Sequence, residues 1–168
     1  IGPHLVTLFG GSPGAGKTAL TMQFAIDGLR LNPELRVVVC NIEMPAAVLL
    51  DRQLARLSGI RAESIRYREL GESHAERLER GLSTLEEIAD RLCFLRPPFD
   101  LANVAHTADE FNGGIDNRLL IVLDYIQRIP PPRDQKSLRS FMGFASYLRK
   151  FIMSFAKRTT HLRELLKK

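Results

Sequence analysis

The sequence predicts an α/β fold built on a parallel sheet, and three observations carry that expectation. First, short continuous apolar runs (Leu5-Val6-Thr7-Leu8-Phe9, Arg36-Val37-Val38-Val39-Cys40-Asn41, Leu92-Cys93-Phe94-Leu95 and Leu119-Leu120-Ile121-Val122-Leu123-Asp124) alternate with longer stretches of helical spacing. Continuous runs mark strands buried on both faces, and strand–helix alternation implies a parallel sheet with right-handed crossovers. Second, a glycine-rich stretch, Gly11-Ser12-Pro13-Gly14-Ala15-Gly16-Lys17-Thr18, stands between the first run and the first helical segment. Third, the last run delivers an acid, Asp124, at its carboxyl end, the edge where open α/β sheets bind ligands.

The chain has 168 residues, 45% of them apolar, which fits one domain with a substantial core. No apolar run reaches the roughly 18 residues of a membrane span. No signal peptide is visible, and the expected location is the cytoplasm. Cys40 and Cys93 each fall inside a predicted buried strand and read as reduced core residues rather than a disulfide or metal pair.

Taken in order, Thr18 to Leu31 carries Leu20, Phe24 and Leu31 with polar residues between them, which suits a helix that Asn32-Pro33 ends. After the second strand, Pro45 suits a helix start. The helix runs Pro45 to Leu57, with Val48, Leu49, Leu54 and Leu57 facing in and Asp51, Arg52 and Arg56 more exposed, and Ser58-Gly59-Ile60 closes it. In the Glu- and Arg-rich stretch Arg61 to Asp90, the residues Leu78, Leu82, Leu85 and Ile88 make one face of a surface helix. Glu72, Glu76, Arg77, Glu79 and Arg80 are its solvated side and mark no site. Pro97-Pro98 stops the third strand, Leu101 to Phe111 is helical, and Gly113-Gly114 breaks that helix before the last strand.

The glycine-rich stretch fits the Walker A spacing: Gly11, then Ser12, Pro13, Gly14 and Ala15, then Gly16-Lys17-Thr18. Glycines let the backbone curl with its N–H groups inward, and the following helix adds the positive end of its dipole, so the loop suits phosphate. Lys17 is the side chain that reaches the β- and γ-phosphates, and the Thr18 hydroxyl is a Mg²⁺ ligand. The competing reading is a glycine-rich turn that matches by chance. Asp124 reads as a Walker B acid holding Mg²⁺ through water, against a strand-end aspartate that caps a turn. Glu43 stands two residues past the second strand, where a carboxylate can orient and deprotonate a water. A helix N-terminal Glu favoured by the dipole is its competitor.

These residues carry a resemblance. Ile42-Glu43-Met44, Arg52 nine residues after Glu43, and Leu57-Ser58-Gly59-Ile60 resemble the second ATPase motif of replicative hexameric DNA helicases of the DnaB class. Leu123-Asp124-Tyr125-Ile126-Gln127 resembles their Walker B signature, and the likeness covers roughly Ile1 to Pro131. It implies a RecA-like P-loop NTPase core, ATP and Mg²⁺, Glu43 as catalytic base and Arg52 near the nucleotide. It also implies single-stranded DNA as partner and a hexamer in the full-length family. The family's later sensor strand, its basic finger and its DNA-binding loops are not recognisable after Gln127, so the stretch reads as the first half of a motor domain.

From Arg133 to Lys168 the chain holds ten Lys/Arg and two Asp/Glu, a net of +8, whereas Ile1 to Pro132 nets −3. The seam near Pro130-Pro131-Pro132 divides an ATPase domain, 1–132, from a basic helical tail, 133–168. Leu138 to Ile152, continued through Ser154-Phe155-Ala156-Lys157 to Lys168, resembles the segment after the palm in reverse transcriptases of gypsy-type retrotransposons. No polymerase carboxylate pair accompanies it. Phe141, Phe144, Leu148, Phe151, Ile152 and Phe155 lie at helical spacing, either to cover a face of the sheet or, with Arg139, Arg149, Lys150, Lys157 and Arg158, to face nucleic acid.

The expected activity is ATP binding and hydrolysis by a replicative-type DNA helicase motor. The alternative is a nucleotide-binding or inert structural module whose basic tail serves interaction with nucleic acid.

Overall fold

The computed structural model describes residues 7–113, 118–124, 133–136 and 138–139. Its centre is strand β1 (Leu35–Asn41), whose Val37, Val38, Val39 and Cys40 are at most 1% exposed. β-Branched residues in a continuous run suit a strand covered on both faces. β1 pairs in parallel with β2 (Leu92–Phe94) on one side and β3 (Arg118–Asp124) on the other, giving the order β2-β1-β3. The register sets Val38 beside Cys93 and Ile121, and Asn41 beside Asp124.

Parallel strands need crossovers, and here they are helical. Helix α1 (Lys17–Leu31) leads into β1. α2 (Ala46–Ser58), α3 (Ala62–Arg66) and α4 (Ala75–Glu86) connect β1 to β2, and α5 (Leu101–Asn112) connects β2 to β3. Alternate strand residues face opposite layers. Val37, Val39, Leu120 and Val122 pack with Met22, Ala25, Ile26 and Leu29 of α1, Leu49 of α2, and Ile88. Cys40, Ile121 and Leu123 face Val104 and Ala105 of α5. A satellite cluster, Leu54, Ile60 and Ile65 with Leu78 and Leu85, ties α2, α3 and α4 together. The α/β fold with its parallel sheet is thus as expected.

Three expectations are corrected. The apolar run before the loop is not a strand over Thr7-Leu8-Phe9; these residues are irregular, and Leu8 is 84% exposed. Among the described residues the sheet has three strands, in the order β2-β1-β3, and Thr7-Leu8-Phe9 joins none of them. Instead the Phe9 ring stacks on Phe24, with centroids 5.7 Å apart. Leu5 and Val6 lie outside the described residues.

The helix after the loop forms, but Leu20, Phe24 and Leu31 are on its outer side. The buried stripe is Met22, Ala25, Ile26 and Leu29, the i, i+3, i+4, i+7 set. On α4, Leu82 is exposed while Gly81 is buried against α2. A Cβ at Gly81 would stand 2.9 Å from Leu54 Cδ1 and 3.2 Å from Ser58 Cβ, so a larger residue there would make Leu54 shift and crowd α2. α3 is an element that the thin apolar spacing of its stretch did not indicate.

Two chain reversals follow the expected chemistry. Asn32 ends α1, its side-chain amide donating to the Gly28 carbonyl, and Gly59 ends α2 at φ 67°. Arg91 donates to the carbonyls of Leu29, Asn32 and Leu35, satisfying the C-terminal end of α1 with a cation. Cys40 and Cys93 are free thiols, the first buried and the second half-buried. No helix among the described residues is long and apolar enough to cross a membrane. Of the basic tail only 133–136 and 138–139 are described, and its apolar stripe from Phe141 to Phe155 lies outside the described residues.

Candidate functional site

The glycine-rich loop is an exposed turn that opens α1. Gly14 and Gly16 have φ of 78° and 83°, the left-handed region where a side chain costs about 1–2 kcal/mol. No atom lies within 4 Å of the Cβ position at either residue. The conformation, not crowding, is therefore what requires glycine here. The Ala15 N–H donates to the Ser12 carbonyl at 3.2 Å and closes the turn. Gly16 is the N-cap of α1, and no side chain caps that helix end. Its first N–H groups are thus directed into the open loop, a geometry that suits an anion. The Lys17 ammonium folds over the loop and donates to the carbonyls of Gly11 and Ser12, each at 2.9 Å.

Next to Lys17, the Thr18 hydroxyl donates to Asp124 Oδ2 at 2.6 Å. These two residues are 106 positions apart in sequence. They meet because α1 begins at the carboxyl edge of the sheet and β3 ends there. A hydroxyl and a carboxylate are hard oxygen donors of the kind Mg²⁺ takes together with waters, so the pair fits that ion. Asp124 is 7% exposed, and its Oδ2 also accepts from the Asn41 side-chain amide at 2.7 Å.

The remaining expected residues come to the same edge in different degrees. Arg52, on the second turn of α2, is exposed and lines a small crevice with Thr18, Ala19, Met22, Leu49 and Gln53. That places it beside the start of α1. Glu43 follows the end of β1; it is exposed, and its backbone N–H donates to Asn41 Oδ1 at 3.1 Å. Tyr125, Ile126 and Gln127 lie outside the described residues. Asn41 is the residue that the sequence reading passed over. Its signal is a polar side chain ending an apolar strand, which gains meaning only once the register sets it beside Asp124.

A parallel α/β sheet whose first helix opens from a glycine loop against a strand-end aspartate defines a RecA-like class of domain. Residues 3–151 match the family described as DnaB-like helicase C terminal domain, and the chain belongs to that family. Over 81 residues it is 32% identical to proteins named "Probable plasmid replicative DNA helicase" from Chlamydia trachomatis and from its serovar L2. The aligned stretch covers 48% of this chain and 18% of each relative.

Proposed function

We propose that this chain binds ATP with Mg²⁺ and hydrolyses it as the motor domain of a replicative-type DNA helicase. The observation that carries the reading is the contact of Thr18 with Asp124, which unites the glycine loop and the strand-end acid at one edge of the sheet. In this reading the loop N–H groups of Gly14 to Thr18 hold the phosphates, and Lys17 exchanges its loop carbonyls for β- and γ-phosphate oxygens. Thr18 and, through water, Asp124 hold the Mg²⁺, which when bound supplies positive charge against that of the phosphates. Glu43 orients a water and takes its proton as that water attacks the γ-phosphorus in line with the departing diphosphate. Arg52 faces the nucleotide from α2. Single-stranded DNA is the partner and a hexamer the assembly that family membership favours.

The deciding experiment measures ATP affinity and turnover by the purified chain, with and without single-stranded DNA. Expected is Mg²⁺-dependent ATP binding with turnover that DNA stimulates. Binding without any turnover leaves a nucleotide-binding module, and no binding at all defeats the proposal.

A further inference from the structure

Asn41 is 9% exposed and ends β1 as the register partner of Asp124. Its side chain makes three hydrogen bonds: Nδ2 donates to Asp124 Oδ2 at 2.7 Å, and Oδ1 accepts the N–H groups of Glu43 at 3.1 Å and Met44 at 2.8 Å. The orientation of the amide follows from these partners. A carboxylate only accepts and a backbone N–H only donates, so the flipped amide would lose all three bonds. The same Asp124 oxygen takes the Thr18 hydroxyl. One connected set of bonds therefore runs from the first turn of α1, through the tip of β3 and the tip of β1, to the backbone that leads into α2.

We propose that Asn41 is a positioning residue of the ATPase site: it holds the Asp124 carboxylate and the backbone of Glu43 as one unit. The inference rests on the reading of Asp124 as the Mg²⁺-holding acid and Glu43 as the base. The side-chain type is demanded by the geometry. Aspartate keeps the acceptor for the two N–H groups but sets a second carboxylate against Asp124. Serine serves a turn N–H and is too short to reach across to β3 as well. Leucine has the volume and none of the bonds, leaving buried polar groups unpaired.

Two variants of the full chain test this. In Asn41→Asp the turn keeps its acceptor, so a residue that merely caps the turn is replaced without loss. A residue that also binds Asp124 is replaced by a like charge, which repels in the metal-free protein and is relieved by a cation. Expected is a lower melting midpoint than wild type without Mg²⁺, and a larger rise than wild type when Mg²⁺ alone is added. In Asn41→Ser the link to β3 is lost; kcat is expected to fall roughly 10- to 100-fold, the usual cost of losing such a supporting contact, with KM for ATP little changed. An Asn41→Asp protein that melts like wild type with and without Mg²⁺, or an Asn41→Ser protein with wild-type kcat, overturns the proposal. Glu43→Gln and Asp124→Asn report on the underlying reading separately. If those two behave like wild type, the reading itself fails and takes the positioning role with it.

Discussion

The Lys17 ammonium is held by its own loop, on the carbonyls of Gly11 and Ser12. It is not a core residue, so Lys17→Ala should fold normally and lose nucleotide response. Wild type should gain thermal stability from ATP–Mg²⁺ by mass action, and an equal gain in the variant would remove Lys17 from the site. Glu43 is exposed, and in the proposed reading its carboxylate takes a proton rather than holding phosphate, so Glu43→Gln should preserve ATP affinity. Its turnover should drop roughly 10²- to 10⁴-fold, as loss of a general base does. Undiminished hydrolysis would make Glu43 a helix-start residue only. Away from the site, burial pushes the Cys40 thiol from its usual 9.0 up to about 11, and burial also raises Cys93 against the opposing charge of Arg96. The folded pKa of Cys40 is the higher one, so the stability this thiol contributes is whole below about pH 9 and lost as pH rises through about 11. Denaturant midpoints between pH 8 and 11 should therefore fall more steeply for wild type than for Cys40→Ala.

At the scale of elements, α1 shows how two apolar stripes on one helix are sorted. Leu29 is wholly buried against the sheet, whereas Leu31, two residues on, is 80% exposed. Leu29→Ala should cost about 2–5 kcal/mol through lost burial and the cavity left behind. Leu31→Ala should stay within about 0.5 kcal/mol, as exposed substitutions do. Urea melts of the two variants measure the contrast, and equal losses would contradict the stripe assigned to the core. Contacts from outside the helix also hold it, at its middle and at its C-terminal end. Phe9 stacks on Phe24 at its middle, and Arg91 binds three carbonyls around its end. Ion pairs on its flank, Asp27 with Arg56 and Arg30, are partly exposed and contribute little by comparison.

For the whole molecule, the division of charge is the feature with a consequence: +8 from Arg133 onward against −3 before it. A tail of that charge should bind polyanions with strong salt dependence, because Lys and Arg displace counterions from phosphates. Cutting the chain after Pro132 separates its two possible roles. If the stripe from Phe141 to Phe155 covers apolar surface of the domain, the shortened protein aggregates or loses its cooperative melt. If the tail is an independent nucleic-acid arm, the shortened protein melts normally, binds ATP and loses only its affinity for DNA. We expect the first result, together with weak salt-sensitive DNA binding by the intact chain. Normal folding of the shortened form, alongside an intact form that ignores DNA at low salt, would defeat both roles.

Much of this was legible in the residues themselves, because it is local chemistry. Gly14 and Gly16 mark a loop that needs positive φ, Asn32 and Gly59 stop helices by their own conformational preferences, and the valine run of β1 can only be buried on both faces. The class of fold, the glycine loop at the start of α1 and the acid at the end of β3 therefore follow from sequence alone. What the tertiary structure decided is everything that depends on a neighbour. Thr7-Leu8-Phe9 has the composition of a strand but pairs with none of the described strands, and the choice between the two stripes of α1 was made by the sheet it packs on. Asn41 is an ordinary strand-end amide in the sequence; the parallel register with a residue 83 positions away makes it the contact between Asp124 and Glu43. Register and packing are set by long-range contacts, and no window of local spacing contains them.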